Sequence, residues 1–298
     1  MERRFDAAAE LLPLRWQRAA QGLAAEVKES AEEFRLRSGQ RPTVLTATGE
    51  RELGEGTVTC AELEQLCDAL TGYSRYAAVD TLAQGYLTAQ GGFRVGLCGT
   101  AVVRDGVNTN LRDISSVAIR ISRQCIGLGE GVVRELLKEG RVQSTLLLSP
   151  PGCGKTTLLR DLVRLLSDGT EGVRAHRVAV VDERGEIAVM HRGLPQMDVG
   201  RHTDVLDGCP KALGISVLLR SANPEIIAVD EITAPEDIRA MLQAANCGVA
   251  LLATIHAGSV EELRRKPLYA KLLKTGAFSR AVTITRNGSE RRYEVGKL

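Results

Sequence analysis

Apolar residues in the first 40 positions recur at irregular helical spacing, at Leu11, Leu14, Ala24, Val27, Ala31 and Phe34, and the stripe stops at Ser38-Gly39. This pattern predicts a helix-rich start. Arg41-Pro42 then opens a β-type run from Thr43 to Thr46. Thr59 with Glu62 three residues later has the form of a capping box, and Leu63, Leu66 and Leu70 share the face that follows, so a helix is expected over about 61–70. A second helix is expected over 79–88, ended by Gly91-Gly92. Beyond it, 93–98 and 100–103 alternate like paired strands up to the turn at Arg104-Asp105-Gly106, and 116–121 reads as one more strand. The front of the chain is thus read as α+β, without chemistry of its own.

Near Gly127-Leu128-Gly129 the pattern changes. Alternating runs give way to continuous apolar runs joined by helices, as in a parallel sheet covered on both faces. The domain boundary is placed near residue 125, giving an N-terminal α+β domain over 1–125 and an α/β domain over 126–298. Four apolar runs each end in polar residues: 145–148 into Ser149, 178–181 into Asp182-Glu183, 226–229 into Asp230-Glu231, and 249–253 into Thr254 and His256. In a parallel sheet those ends share one edge, which is where open α/β folds bind ligands.

Composition narrows the class. With 298 residues, 44% of them apolar, the chain is a folded globular protein long enough for two cores. A net charge of +2, from 39 basic and 37 acidic side chains, supplies little field for a polyanion, so no specific nucleic-acid partner is expected. Aromatic residues make up 3% of the chain, too few for stacking platforms. The seven cysteines are odd in number and form no C-x-x-C pair, which argues against a disulfide frame or zinc site and fits a reducing, cytosolic compartment. The N-terminus lacks the apolar run of a signal peptide. The longest uncharged window, 240–260, carries Gln243, Asn246 and His256 and makes a poor membrane span.

The strongest chemical signal is Ser149-Pro150-Pro151-Gly152-Cys153-Gly154-Lys155-Thr156-Thr157, set between an apolar strand and an expected helix over 158–166. Successive backbone N–H groups from Gly152 to Thr157 at a helix N-terminus would form a nest for nucleotide phosphates. Lys155 would reach the β and γ phosphates, and Thr156 would bind Mg²⁺. Ser149 stands where the general pattern has Gly; Pro150 and Pro151 preset the turn, and both glycines nearest the phosphates are present. Of the two Asp-Glu strand ends, Asp230 is the better Mg²⁺ residue, because a further strand separates it from Lys155, whereas Asp182 ends the strand directly after the loop's helix. Glu231 is then the first choice for orienting the attacking water and Glu183 the second; the alternative for 182–186 is a solvated strand end paired with Arg184. His256 is read as a γ-phosphate contact, against the plainer reading of a satisfied core histidine. Arg220 is equally readable as a phosphate ligand or a surface charge.

Taken together, the phosphate loop, the stretch from Leu218-Leu219-Arg220 through Pro224-Glu225 to Asp230-Glu231, and Ala253-Thr254-Ile255-His256-Ala257-Gly258 resemble the ATPases of type II and type IV secretion systems, which are RecA-like motors. More closely, 149–161, 181–187, 204–209 and 113–116 are similar to the stage III sporulation AA family, over about 92–257. The resemblance implies that 126–298 is a RecA-like P-loop ATPase domain with a mainly parallel sheet. It implies a homohexamer that hydrolyses ATP with Mg²⁺ in the mother cell's cytoplasm, docked on membrane proteins and powering a secretion-like channel to the forespore. It also implies arginines of the N-terminal domain, from the same or a neighbouring subunit, closing over the nucleotide. Arg94 and Arg120 hold the matching positions, with Arg112 a weaker third; the other reading of each is a strand charge facing water. The family shares the serine at 149.

Other classes stay open. A soluble phosphotransferase would need an arginine-rich lid, for which 199–204 is short, and a nucleotide-gated scaffold with little turnover fits less well with Glu231 and Glu183 both present. A DNA translocase is disfavoured by the near-neutral charge.

Overall fold

The computed structural model describes residues 2–46, 48–74, 78–121, 124–287 and 290–298. Its internal contacts divide the chain into two units, 1–123 with 191–196 and 124–190 with 197–298.

In the first unit, helices α1 (Glu2–Ala9), α2 (Leu14–Gln21) and α3 (Ala25–Ser30) precede strands β1 (Ala31–Arg37), β2 (Thr43–Thr46) and β3 (Gly49–Glu52). Helices α4 (Cys60–Leu70) and α5 (Val79–Ala83) then lead to β4 (Tyr86–Ala89), β5 (Phe93–Arg104) and β6 (Val107–Arg120). The strands form one antiparallel sheet in the order β3-β2-β1-β6-β5-β4. The capping box starts α4 as its sequence demands: Thr59 accepts the Glu62 backbone N–H, and the Glu62 carboxylate accepts that of Thr59. Phe5, Trp16, Phe34, Phe93 and Ile119 belong to one core.

Three expectations change here. Residues 31–37 are a strand rather than the end of a helical stripe, because β1 pairs with β2 on one side and β6 on the other and buries Ala31, Phe34 and Leu36. Cross-strand pairing outweighs a weak helical spacing. The helix expected over 79–88 stops at Ala83; Gly85, at φ +78°, turns the chain and 86–89 pairs with β5. Segments 93–98 and 100–103 do not pair with each other. They are one strand, shifted in register at Gly99, where a Cβ would lie 2.6 Å from the Arg112 carbonyl oxygen. The strand expected at 116–121 is the far half of β6.

The second unit begins with α6 (Glu130–Val133) and a ribbon of β7 (Leu137–Lys138) and β8 (Arg141–Val142), followed by β9 (Thr145–Ser149), α7 (Lys155–Asp168) and β10 (Val178–Asp182). The short strands β11 (Met190–His191) and β12 (Leu194–Pro195) come next, then β13 (Thr203–Asp207), α8 (Lys211–Ser221), β14 (Ile226–Val229), α9 (Pro235–Asn246) and β15 (Ala250–His256). Helices α10 (Val260–Arg265) and α11 (Pro267–Lys274) and the hairpin β16 (Arg280–Asn287) to β17 (Glu290–Lys297) complete the unit.

Its sheet runs β13-β10-β14-β15-β9-β16-β17, parallel throughout except for β17. All four apolar runs read from the sequence are neighbouring strands of this sheet. Both faces are covered: Leu147, Val180, Ala228 and Leu252 pack with α6 and α7, while Leu146, Val181, Val229 and Ala253 pack with α8 and α9. Each strand therefore had to be apolar at every position, which is why the runs are continuous. The polar ends of β9, β10, β14 and β15 consequently meet at the carboxyl edge.

Candidate nucleotide site

β9 ends at buried Ser149, and after five intervening residues α7 begins at Lys155. The turn between them needs left-handed backbone at Gly152 (φ +74°) and Gly154 (φ +94°), which glycine adopts without steric cost. No side chain caps α7, so the first N–H groups of this 14-residue helix are left for a ligand, in the loop formed by Pro151, Gly152, Cys153 and Gly154. The Ser149 hydroxyl donates to the Pro150 carbonyl (2.8 Å). Ser149 thus takes part in the loop rather than merely being tolerated there.

Lys155 is buried, and its Nζ donates to the carbonyl oxygens of Ser149 (2.9 Å) and Pro150 (3.0 Å). Burial pushes its ammonium below the ordinary lysine range, against the opposing pull of Asp230, the Cys153 thiol and Glu231. Nζ also lies 2.8 Å from His256 Nδ1. An ammonium only donates, so Nδ1 accepts, and the imidazole proton sits on Nε2, which faces Glu231 Oε1 at 3.2 Å. The other Glu231 oxygen takes the Arg184 guanidinium (2.9 Å). Lys155, His256, Glu231 and Arg184 therefore form one chain of polar contacts across three strand ends and the phosphate loop.

Asp230 accepts from the Thr156 hydroxyl at 2.7 Å through Oδ2, and through Oδ1 from the Thr254 hydroxyl and the Glu231 N–H (3.1 Å). A hydroxyl and a carboxylate side by side at the loop fit a hard divalent cation whose remaining ligands are water and phosphate oxygens. Glu231 itself has φ +44°, a backbone conformation uncommon outside glycine. These groups line a cavity of about 340 Å³, together with Thr157, Glu186 and Arg291.

The two Asp-Glu pairs separate in role. Asp182 is buried and its carboxylate accepts the backbone N–H groups of Glu186, Ile187, Ala188 and Val189, so it ties down the loop after β10. Arg160 of α7 holds the same loop by donating to the Glu186 and Ile187 carbonyls (2.5 Å each). Glu183 is not among the cavity residues: it pairs with Lys211 Nζ at 2.5 Å. Burial pulls its pKa up, and the lysine outweighs that, leaving it below the usual carboxylate range. Arg184 pairs with Glu231, not with its own strand end.

Arg220 is exposed at the C-terminal end of α8, which leads into the start of β14, so it stands at the sheet's amino edge, away from the cavity. In the first unit, Arg94 lies over the Tyr86 ring (4.2 Å to its centroid), and Arg120 is exposed 3.6 Å from Glu33. The register Val95↔Ile119 puts Arg94 and Arg120 one step further on, on the sheet face opposite those buried residues. Arg112 is exposed beside Asp113 (3.6 Å), beyond the Gly99 irregularity.

Sequence reasoning passed over Glu186 and Arg291 and gave Thr254 no role beyond a polar strand end. Glu186 had a usable signal, four residues after a strand-terminal Asp. Arg291 had none, because its loop contact depends on the C-terminal hairpin lying beside β9.

The family described as sporulation stage III, protein AA, matches residues 3–294. The chain belongs to this family. Stage III sporulation protein AA of Bacillus subtilis (strain 168) is 38% identical over 278 residues, 93% of this chain and 90% of that protein. Among solved structures, the ATPase DotB of Legionella pneumophila superposes with a TM-score of 0.61 at 16% identity, over 96% of this chain and 81% of that one. The pilus retraction motor PilT with bound ADP gives 0.62 at 15% identity, over 92% and 81%. These likenesses show the fold: this member of the sporulation AA family shares the architecture of those two proteins, an α+β portion followed by a portion with a largely parallel sheet.

Proposed function

We propose that this chain is a Mg²⁺-dependent ATPase, assembling as a homohexamer that energises a secretion-like channel between mother cell and forespore. Residues 126–298 would form its ATPase domain and 1–125 a domain supplying arginines. The observation that carries the reading is the convergence of Lys155, the Thr156–Asp230 pair, Glu231 and His256 on one cavity at the phosphate loop.

In this reading the N–H groups of 152–157 and the Lys155 ammonium hold the β and γ phosphates, for which Lys155 exchanges the Ser149 and Pro150 carbonyls. Thr156 and Asp230 would hold Mg²⁺, which when bound neutralises charge developing on the phosphates. Glu231 orients the attacking water once Arg184 releases it, and His256, already touching both Lys155 and Glu231, links γ-phosphate occupancy to that release. Glu183, engaged by Lys211, and Arg220, at the far edge, have no part in this site within one chain. Arg94 and Arg120 are kept as the outside arginines, with Arg112 third. No helix among the described residues is long and apolar enough to cross a membrane. Of the short stretch 199–204 that a phosphotransferase would need as its lid, Thr203 and Asp204 belong to an edge strand, which favours the motor reading.

The test is ATP hydrolysis by purified full chain without any phosphate acceptor. We expect phosphate release, a rate per subunit that rises with protein concentration, and no turnover by Lys155→Ala. Near wild-type turnover by that variant would remove the phosphate-loop assignment.

A further inference from the structure

We infer that Arg291, carried by the C-terminal hairpin, is a ligand of the nucleotide's α and β phosphates. The inference rests on the nucleotide-site reading above and adds a residue to it.

Arg291 lies on β17, the edge strand, one strand beyond β16 from the phosphate-loop strand β9. Its Nε donates to the Cys153 carbonyl (3.2 Å), and its guanidinium covers Gly154, where a Cβ would come within 3.1 Å of Nε. A side chain at 154 would crowd the arginine and strain the left-handed backbone there. Among the described residues no carboxylate pairs with Arg291, although Glu186, Asp230 and Glu231 line the same cavity.

The Arg291 guanidinium is thus held by a carbonyl but has no paired carboxylate among the described residues. It shares the cavity with Lys155 and sits at the N-terminus of α7, the positive end of the helix, where a cation is unfavourable and an anion favourable. A phosphate seated in the loop supplies the missing charge, and a guanidinium is suited to gripping it in two-pronged fashion. The strand order decides which phosphates. Asp230, Glu231 and His256 end β14 and β15, on one flank of β9, whereas Arg291 arrives from the opposite flank. If the γ phosphate faces the water-orienting glutamate, Arg291 meets the α/β side. It is therefore present for ADP and ATP alike and is no sensor of the γ phosphate.

The experiment is equilibrium titration of the full chain with Mg-ADP and with Mg-ATP, plus competition by inorganic pyrophosphate, for wild type, Arg291→Gln, Arg291→Lys and Lys155→Ala. Glutamine can still donate to a carbonyl but carries no charge, so it separates phosphate binding from a simple clasp on the loop. We expect Arg291→Gln to weaken ADP, ATP and pyrophosphate by the same factor, roughly ten- to a hundredfold, as for a hydrogen-bonded charge pair, and Arg291→Lys to recover part of it. Wild-type affinity in Arg291→Gln, beside lost binding in Lys155→Ala, overturns this proposal and leaves the site standing. Undiminished binding in Lys155→Ala overturns the site itself. A loss confined to ATP puts the arginine on the γ phosphate, and unchanged pyrophosphate competition beside weakened ADP puts it on the nucleoside; either result overturns the assignment.

Discussion

Glu183 and Glu231 follow the same Val-Asp sequence on neighbouring strands, and their partners set them apart. Glu183 is spent on Lys211, whereas Glu231 stands in the cavity between His256 and Arg184, at left-handed backbone. A general base must reach the reacting water, so geometry ranks Glu231 first. Glu231→Gln is expected to keep ATP binding while lowering turnover by roughly a hundredfold or more, the usual worth of a positioned base. Glu183→Gln should leave turnover within a few-fold. Single-turnover hydrolysis with a parallel binding titration separates the two, and a trapped, ATP-bound Glu183→Gln beside an active Glu231→Gln would reverse the assignment.

At the scale of elements, what positions the cavity is close packing beneath it and ion pairing at the far edge. Gly214 of α8 lies so near β10 that a Cβ there would fall 2.5 Å from Val181 Cγ1. Gly214→Ala should push α8 off the sheet and cost about 1–3 kcal/mol, as overpacking does, read as a lower urea midpoint with unchanged slope. At the amino edge, Glu225 accepts from Arg174 at 2.5 Å and from the Arg177 N–H at 3.0 Å, which ties the segment before β10 to the start of β14. The Arg174 hydrogen bond, with burial opposing and the Arg177 N–H adding, lowers its pKa from 4.5 to about 2. A carboxylate depressed on folding stabilises above its unfolded pKa, and that contribution fades as pH falls through the folded value. The melting-temperature gap between wild type and Glu225→Gln should therefore shrink between pH 4.5 and 2 and vanish below. A gap that is flat across that window would mean the pair adds nothing to stability.

For the whole molecule, the proposal requires an arginine from the first unit to act on a nucleotide held by the second. Arg120 is exposed and its nearest carboxylate, Glu33, is 3.6 Å away, so the side chain is available without breaking a tight pair. If it serves a neighbouring copy, hydrolysis depends on assembly. Arg120→Ala and Lys155→Ala chains, each inactive alone, should then regain part of the activity when mixed, because an Arg120→Ala chain keeps its phosphate loop and borrows its neighbour's arginine. The rate should be followed across mixing ratios with mixed oligomers verified by mass. No rescue in verified mixtures places the arginine's action within its own chain or removes it from catalysis.

The sequence alone determined the parts whose chemistry is local. A strand, two glycines and Lys155-Thr156 in twelve consecutive positions leave little freedom for the loop, and an apolar run ending in Asp or His reads as a strand whose tip reaches a shared edge. Thr59 and Glu62 fix a helix start through reciprocal bonds between residues three positions apart. Tertiary structure decided whatever depends on a distant partner. Residues 31–37 became a strand because two other strands were there to pair with it. Asp182 became a loop anchor rather than a metal candidate because four N–H groups fold back onto it. Arg291 met the phosphate loop across 138 positions of sequence, because β16 happens to be the strand that lies against β9. No periodicity encodes such a meeting: side-chain spacing reports which face an element buries, whereas the order of strands in a sheet follows from the packing of the whole unit.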